Sequence, residues 1–365
     1  MKIPRIKINP NFDWSLIIIP VILGICSLAT LYSISSVSGN LSLVTSQAVF
    51  FAIGIVVYII FAMFDYRETK NYVWYLYAIG LLMLIIVDFV GIRIFGSSRW
   101  IDLGFFQIQP SELMKIFLLI FAASYFSNKE NLKPLRILFF AVVSIVPVYL
   151  VLREPDLGTA LTTTVMLITV LLVVGIPRKY LFIGAAAIIL ASPLIWISLK
   201  PYQKERVVSF ANPSLDPLGS GYNVSQSKIA VGSGGLMGKG FGNATQSQLR
   251  FLPIAQIDFI FSGWAEATGF VGSIVLVLAF GILIARIFIV SSLSRDKFGM
   301  IFASGVGAVI LFQAFVNIGM NIGIMPVTGI PLPFVSAGGT SFITNAVLLG
   351  MTQSIYLRRR GLKFE

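Results

Sequence analysis

Asp258 stands where a polar stretch of the chain gives way to an apolar one, in LRFLPIAQIDFIFSGWAEATGF, residues 249–270. A carboxylate so placed has two uses. It caps the helix that follows, since an Asp before an apolar run is a common start signal, or it accepts a proton in a reaction at that boundary. Glu266, eight residues on, is turned about 80° from it around a helix, so the two form no close dyad within one helix. A second constellation lies in FGSSRWIDLGFFQIQPSELMKI, residues 95–116. Pro110 suits the first turn of a helix, Ser111 suits its cap, and the helix dipole favours Glu112 there. Lys115 has no such account, because a cation one turn into an apolar helix is costly unless paired or snorkelling. It shares a face with Glu112, three residues away. Arg99 and Trp100 read equally as headgroup anchors or as substrate contacts. In REPDLGTA, residues 153–160, Asp156 is placed to start another helix.

The elements that hold these groups are apolar. Of 365 residues, 57% are hydrophobic and 12% charged, against about 25% charged in ordinary soluble domains. No Asp, Glu, Lys or Arg occurs from Trp14 to Phe64, Leu157 to Pro177 or Phe298 to Leu357. A bilayer-spanning helix needs about 20 mostly apolar residues. The chain therefore reads as an all-α polytopic membrane protein with ten spans, at 14–36, 43–64, 71–90, 112–128, 135–152, 157–176, 180–199, 258–286, 298–323 and 339–357. Histidine is absent and Cys26 is the sole cysteine, which excludes imidazole catalysis, imidazole metal ligands and an intrachain disulfide. Acid–base chemistry falls to carboxylate, lysine or tyrosine.

Short segments rich in Lys and Arg alternate with segments poor in them. The N-terminus, DYRETK, NKENLKPLR, IPRKY, SLSRDK and LRRRGLKFE form the basic set, which the positive-inside rule assigns to the cytoplasm, both termini included. The net charge of +12 then reflects orientation and an anionic substrate, with no nucleic-acid partner. The loop 200–257 is outside. It carries Lys200, Lys204, Arg206, Lys228, Lys239 and Arg250 against Glu205 and Asp216, and its length marks it as functional or disordered. GYNVSQSKIAVGSGGLMGKGFGNA within it has the spacing of a short helix followed by a glycine cluster. GIMPVTGIPLPFVSAGGTS, residues 323–341, is uncharged and broken by Pro and Gly, which suits a rigid outer or re-entrant segment packed on protein. Asp258 thus lies at the outer membrane boundary.

These motifs, with NPSLDPLGSGYNVSQSKIAVGSGGLMGKG, resemble the SEDS family of cell-wall proteins through nearly the whole chain. GIPLPF and DLGTA favour its elongation branch over its division branch. The resemblance implies a single SEDS domain over 1–365 that polymerises lipid II on the outer face, with a class B penicillin-binding protein and the elongation machinery as partners. It places the family's catalytic aspartate on Asp258 and its QPSELMK positions on Gln109 to Lys115, including Ser111 and Glu112. Relatives usually read His-Thr-Asp-Phe where this chain has Gln256-Ile257-Asp258-Phe259, so no role can rest on that histidine. An inverting displacement of undecaprenyl pyrophosphate needs one base and a cationic surround. Asp258 is the base in this scheme. Lys115 and Arg99, then Arg206, Lys239 and Arg250, are the substrate contacts, with Trp100 and Gln109 beside them. A divalent cation, Mg²⁺ or Mn²⁺, on the pyrophosphate is compatible with this chemistry, though no ligand set for it is legible. A lipid II transporter and a non-catalytic scaffold for the transpeptidase are the alternatives. On this reading Lys115→Met removes an intramembrane charge with little loss of folding.

Overall fold

The computed structural model describes residues 12–36, 41–94, 97–102, 106–128, 132–177, 220–249 and 255–359, with isolated positions beside them. The expected span over 180–199 lies largely outside the described residues, and Arg206 and Arg250 lie outside them altogether. Helices α1 (Ser15–Ser36), α2 (Ser42–Met63), α3 (Val73–Val90), α4 (Pro110–Ser127), α5 (Pro134–Arg153) and α6 (Leu157–Val174) follow the uncharged runs. A shorter helix, α7 (Ser220–Ser233), and one turn, α8 (Thr245–Gln248), come from the long loop; α9 (Ile260–Leu293), α10 (Lys297–Ile322) and α11 (Gly339–Leu357) complete the set. Where lipid offers no hydrogen bonds, an apolar run satisfies its backbone by coiling on itself. Eight of the described helices are long and apolar enough to cross a membrane. The protein is a multi-pass membrane protein.

The last helix, α11, falls below that hydropathy although it was expected as a span. It is buried against α2 and α10, and Thr344, Asn345, Thr352, Gln353 and Ser354 are shielded from lipid. A helix that faces protein on every side tolerates such residues. Helix α10 is similarly interior. Asp296 caps its start by accepting the Gly299 N–H at 2.8 Å, and Leu119 of α4 fills the space over its Gly305.

The basic segments meet at one end of the bundle. Arg67 pairs with Asp296 at 3.6 Å and Arg358 with Asp65 at 3.3 Å, while Arg286 donates to the buried Asp13 at 3.1 Å. At the other end a feature departs from the all-α expectation. Strands β1 (Ile92–Ile94), β2 (Ser97–Asp102) and β3 (Gln107–Ile108) form a small antiparallel sheet in the order β1-β2-β3. Strands of two to six residues leave little alternation to read in a sequence.

Helix α9 is broken at Gly269 (φ 71°, ψ −162°). The freed backbone groups are taken up by the glycine-rich turn after α7. Lys239 and Gly240 donate to the carbonyls of Glu266 and Ala267 at 3.0 and 2.9 Å, and Phe270 and Val271 donate to those of Gly235 and Leu236 at 2.9 and 3.1 Å. A Cβ on Gly269 would lie 2.3 Å from the Gly238 nitrogen. Gly269→Ala therefore combines a backbone conformation open only to glycine with a backbone clash, and destabilises the fold by about 2–5 kcal/mol. Gly281→Ala, with nothing within 4 Å of its Cβ position, is the neutral control. Thermal unfolding of both variants in detergent, followed by size-exclusion chromatography, checks this; equal stability of the two would refute the account.

Candidate active site

The site is built on three consecutive carbonyls of non-helical chain. Gln256 O accepts the Ala337 N–H at 2.9 Å. Ile257 O accepts the Ser336 hydroxyl at 2.6 Å. Asp258 O accepts the side-chain amides of Asn317 and Asn321 at 3.0 and 3.1 Å. Such groups must be satisfied wherever water is scarce. Asn317 also donates to Ile330 O at 2.8 Å, so the 323–341 segment and the Asp258 segment hang on the same helix, α10. The oxygen of Asn321 accepts from the Ser262 N–H at 3.0 Å and from its hydroxyl at 2.5 Å. The Ser262 hydroxyl meets that of Ser227 in α7 at 2.6 Å. Asp258 is half-buried. The cap position of α9 is Phe259 and no side chain caps that helix, so the cap reading of Asp258 is set aside.

The 95–116 and 153–160 motifs meet at Asp156. Its Oδ1 accepts the Thr159 N–H at 3.1 Å, the expected helix cap. Its Oδ2 accepts Gln109 Nε2 at 2.8 Å and the Ser111 hydroxyl at 3.5 Å, and Arg99 Nη1 stands 3.8 Å from Oδ1. Ser111 is thus no cap: Gln109 holds that position without a side-chain bond, because Asp156 competes for the serine hydroxyl. The Arg99 guanidinium also donates to the carbonyls of Glu154, at 3.0 Å, and Pro155. Arg99 therefore locks β2 onto the turn before α6. The Glu154 side chain is buried, with neither carboxylate oxygen hydrogen-bonded. Burial, with Asp156 and Asp88 nearby, pushes this carboxyl up to about 9, so it is neutral at pH 7 and no base.

Two further cations are paired with carboxylates. Lys115 is 1% exposed, and its Nζ lies 2.7 Å from Glu112 Oε1. That burial leaves it no path to snorkel. Lys239 Nζ lies 3.0 Å from Oε1 of Glu266, which is fully buried. Glu266 also accepts the Gln246 and Ser247 N–H groups at 2.9 and 3.0 Å and the Ser247 hydroxyl at 2.8 Å. It is the anchor of the folded loop, a role the sequence reading missed. An acid preceding Gly269 by three residues, opposite a glycine-rich basic loop, was the available signal.

A cleft of about 510 Å³ opens beside Asp258. Its walls are Gln47 and Phe50 of α2, Trp100, Asp102 and Gln107 of the sheet, and the backbone of Gly338 and Gly339, with Gln256 and Ile257 leading to Asp258. Thr340 ties the walls together, donating to Gln107 O at 2.8 Å and accepting the Gln109 N–H at 3.3 Å. The structure thus places Trp100 in a cleft that Gln256 and Ile257 also line, gathers Arg99, Gln109 and Ser111 at Asp156, and keeps Glu112–Lys115 and Lys239–Glu266 as separate pairs. Among the described residues no group of three or more Cys, Asp or Glu side chains could hold a metal ion.

The buried Lys115–Glu112 pair revises the expected effect of Lys115→Met. Removing one partner leaves Glu112, 2% exposed, without its cation, and costs about 3–5 kcal/mol. Lys115→Met/Glu112→Leu recovers most of that stability, because both charges are gone. Thermal stability of the single and double variants reads this directly; a single variant as stable as the parent would contradict it.

Three comparisons bear on this architecture. Residues 10–361 match the model of the cell cycle protein family of FtsW, RodA and SpoVE. The chain is 38% identical over 315 residues to peptidoglycan glycosyltransferase MrdB of Escherichia coli strain K12, covering 85% of each. It is 36% identical over 331 residues to the probable peptidoglycan glycosyltransferase FtsW of Nitrosomonas europaea, covering 87% of this chain and 84% of that one. In structure it is similar to a chain of a peptidoglycan synthase complex that coordinates polymerization and crosslinking (TM-score 0.80, 30% identity, 94% of this chain and 97% of that one). It is also similar to the rod shape determining protein RodA of Thermus thermophilus (TM-score 0.70, 29% identity, 94% and 96%). The motif resemblance, the helical architecture and these matches agree: the chain belongs to the FtsW/RodA/SpoVE family, the SEDS proteins.

Proposed function

We propose that this chain is a peptidoglycan glycosyltransferase that polymerises lipid II at the outer face of the cytoplasmic membrane, with Asp258 as general base. The observation that carries the reading is the fixed backbone of Asp258. Its carbonyl and the two before it are each held, yet its side chain is not used to cap a helix and stands half-buried beside a cleft. A base on a rigid support at a membrane boundary suits a substrate whose lipid stays in the bilayer. In the reaction the acceptor hydroxyl attacks the donor's anomeric carbon and gives its proton to Asp258. The bond from that carbon to the pyrophosphate oxygen breaks, and undecaprenyl pyrophosphate leaves with the electron pair. This leaving group needs no second acid, unlike that of a glycosidase. A divalent cation on the pyrophosphate would be held chiefly by the phosphates.

The likeness to a synthase complex that couples polymerization to crosslinking supports a class B penicillin-binding protein as partner, within the elongation machinery. The Lys/Arg asymmetry of the short segments supports cytoplasmic termini and an outer loop over 200–257. A broken helix at Gly269 and a buried intramembrane ion pair are the features that a lipid II transporter would share.

Two measurements test the reading. Asp258→Asn keeps the size of the side chain and touches no cap, so wild-type stability and partner binding are expected beside a polymerisation rate on fluorescent lipid II reduced by about 10²–10⁴-fold. Normal glycan synthesis by Asp258→Asn would rule out the base, and absence of synthesis by the wild type would favour transporter or scaffold. In a Cys26→Ser background, Ser220→Cys is expected to react with a membrane-impermeant thiol reagent from outside only; labelling from the inside alone would invert the topology.

A further inference from the structure

We infer that the cleft beside Asp258 is the subsite for the neutral saccharide end of the acceptor, and that the donor's pyrophosphate lies outside it. The inference rests on the glycosyltransferase reading and adds which half of the reacting pair occupies this space. The donor's reacting carbon is bonded to a pyrophosphate oxygen, so wherever the donor reacts, negative charge lies within a few ångströms and calls for cations or aligned donors. The described residues lining the cleft include no Lys or Arg. Their one charge is the Asp102 carboxylate, whose Oδ1 accepts the Gly104 N–H at 2.8 Å. Among the described lining residues a phosphate would meet like charge and no counter-charge.

The same lining suits an N-acetylated sugar. Trp100 and Phe50 offer flat apolar surface to ring carbons, and Gln107 and Gln256 offer amides that both donate and accept. A few polar groups in a mostly apolar wall is the usual composition of a pocket for a neutral ligand. Gly338 keeps the backbone wall open, since the nearest atom to a Cβ there would be Ser341 Cβ at 3.8 Å. Gln256 connects the cleft to the chemistry: the residue is part of the lining, its carbonyl is pinned by Ala337, and Asp258 is two residues on. A sugar held against Gln256 therefore lies beside the group that takes the hydroxyl proton. Of the described cations, Arg99 is turned to the 154–156 turn and Lys239 to Glu266, while Lys228 lies over Gly323 and is not in the cleft lining.

Binding measured without turnover tests this. The full chain carrying Asp258→Asn is titrated in detergent with two probes: N,N′-diacetylchitobiose, a neutral N-acetylhexosamine pair, by saturation-transfer NMR, and undecaprenyl pyrophosphate, by competition with a fluorescent analogue. Adding Trp100→Ala or Gln256→Ala weakens the disaccharide by about three- to tenfold and changes the pyrophosphate lipid less than twofold. Phe106→Ala, at the exposed edge of the cleft, does the same and guards against a misfolded variant. Absence of disaccharide binding to the parent, unchanged disaccharide affinity in all three variants, or equal loss of both probes would overturn the subsite. Polymerisation by the wild type, run alongside, judges the glycosyltransferase reading separately: a wild type that makes glycan while the probes fail loses only the subsite.

Discussion

Non-helical backbone where water is scarce must find its hydrogen bonds inside the protein, and the stretch 256–258 does so through α10 and the segment between α10 and α11. Three carbonyls in a row are met by a backbone N–H, a serine hydroxyl and two asparagine amides. Much else follows from that requirement. Helix α10 has to be central, because it carries both asparagines. The 323–341 segment has to be rigid, because Ser336 and Ala337 must stay in place. The loop before α9 has to fold back, because Ser227 of α7 completes the hydrogen bonding around Ser262 and Asn321.

Charge is distributed by the same logic. Within the bundle Lys115 and Glu112 neutralise each other, while Lys239 and Glu266 do so where the loop joins α9. Arg99 is occupied with carbonyls and with Asp156. The carboxyl of Glu154 is removed from the ledger of charge by burial. Asp258 stands half-buried on a fixed backbone, next in sequence to the Gln256 and Ile257 that line the cleft. In the proposed reaction a carboxylate so held would serve as base without reorganising its surroundings.

Eight of the expected spans and the Asp156 cap were legible because each is a local pattern: an uncharged run, an Asp before a helix. The misreadings came from competition between distant segments. Ser111 had the right position for a cap, but Asp156, 45 residues away, takes its hydroxyl. Asp258 likewise precedes an apolar run, but the helix begins one residue later than a cap requires. Asn317 and Asn321 were passed over although they are the i,i+4 pair of amides in an otherwise apolar span, a pattern with an evident reason once a carbonyl faces it. The buried Glu154 was invisible for another reason: nothing in REPD tells whether its first acid faces water or protein.

The break at Gly269 has a bearing on how the protein is made. Its orphaned backbone groups are satisfied by residues 235–240, which leave the ribosome about thirty positions ahead of it. At synthesis rates of about 5–20 residues per second, the turn is available within seconds of the helix that needs it. The contact is short in sequence, so its closure entropy is small. The partners of the break at Gly269 thus lie N-terminal to it and are synthesised before the interrupted helix is complete.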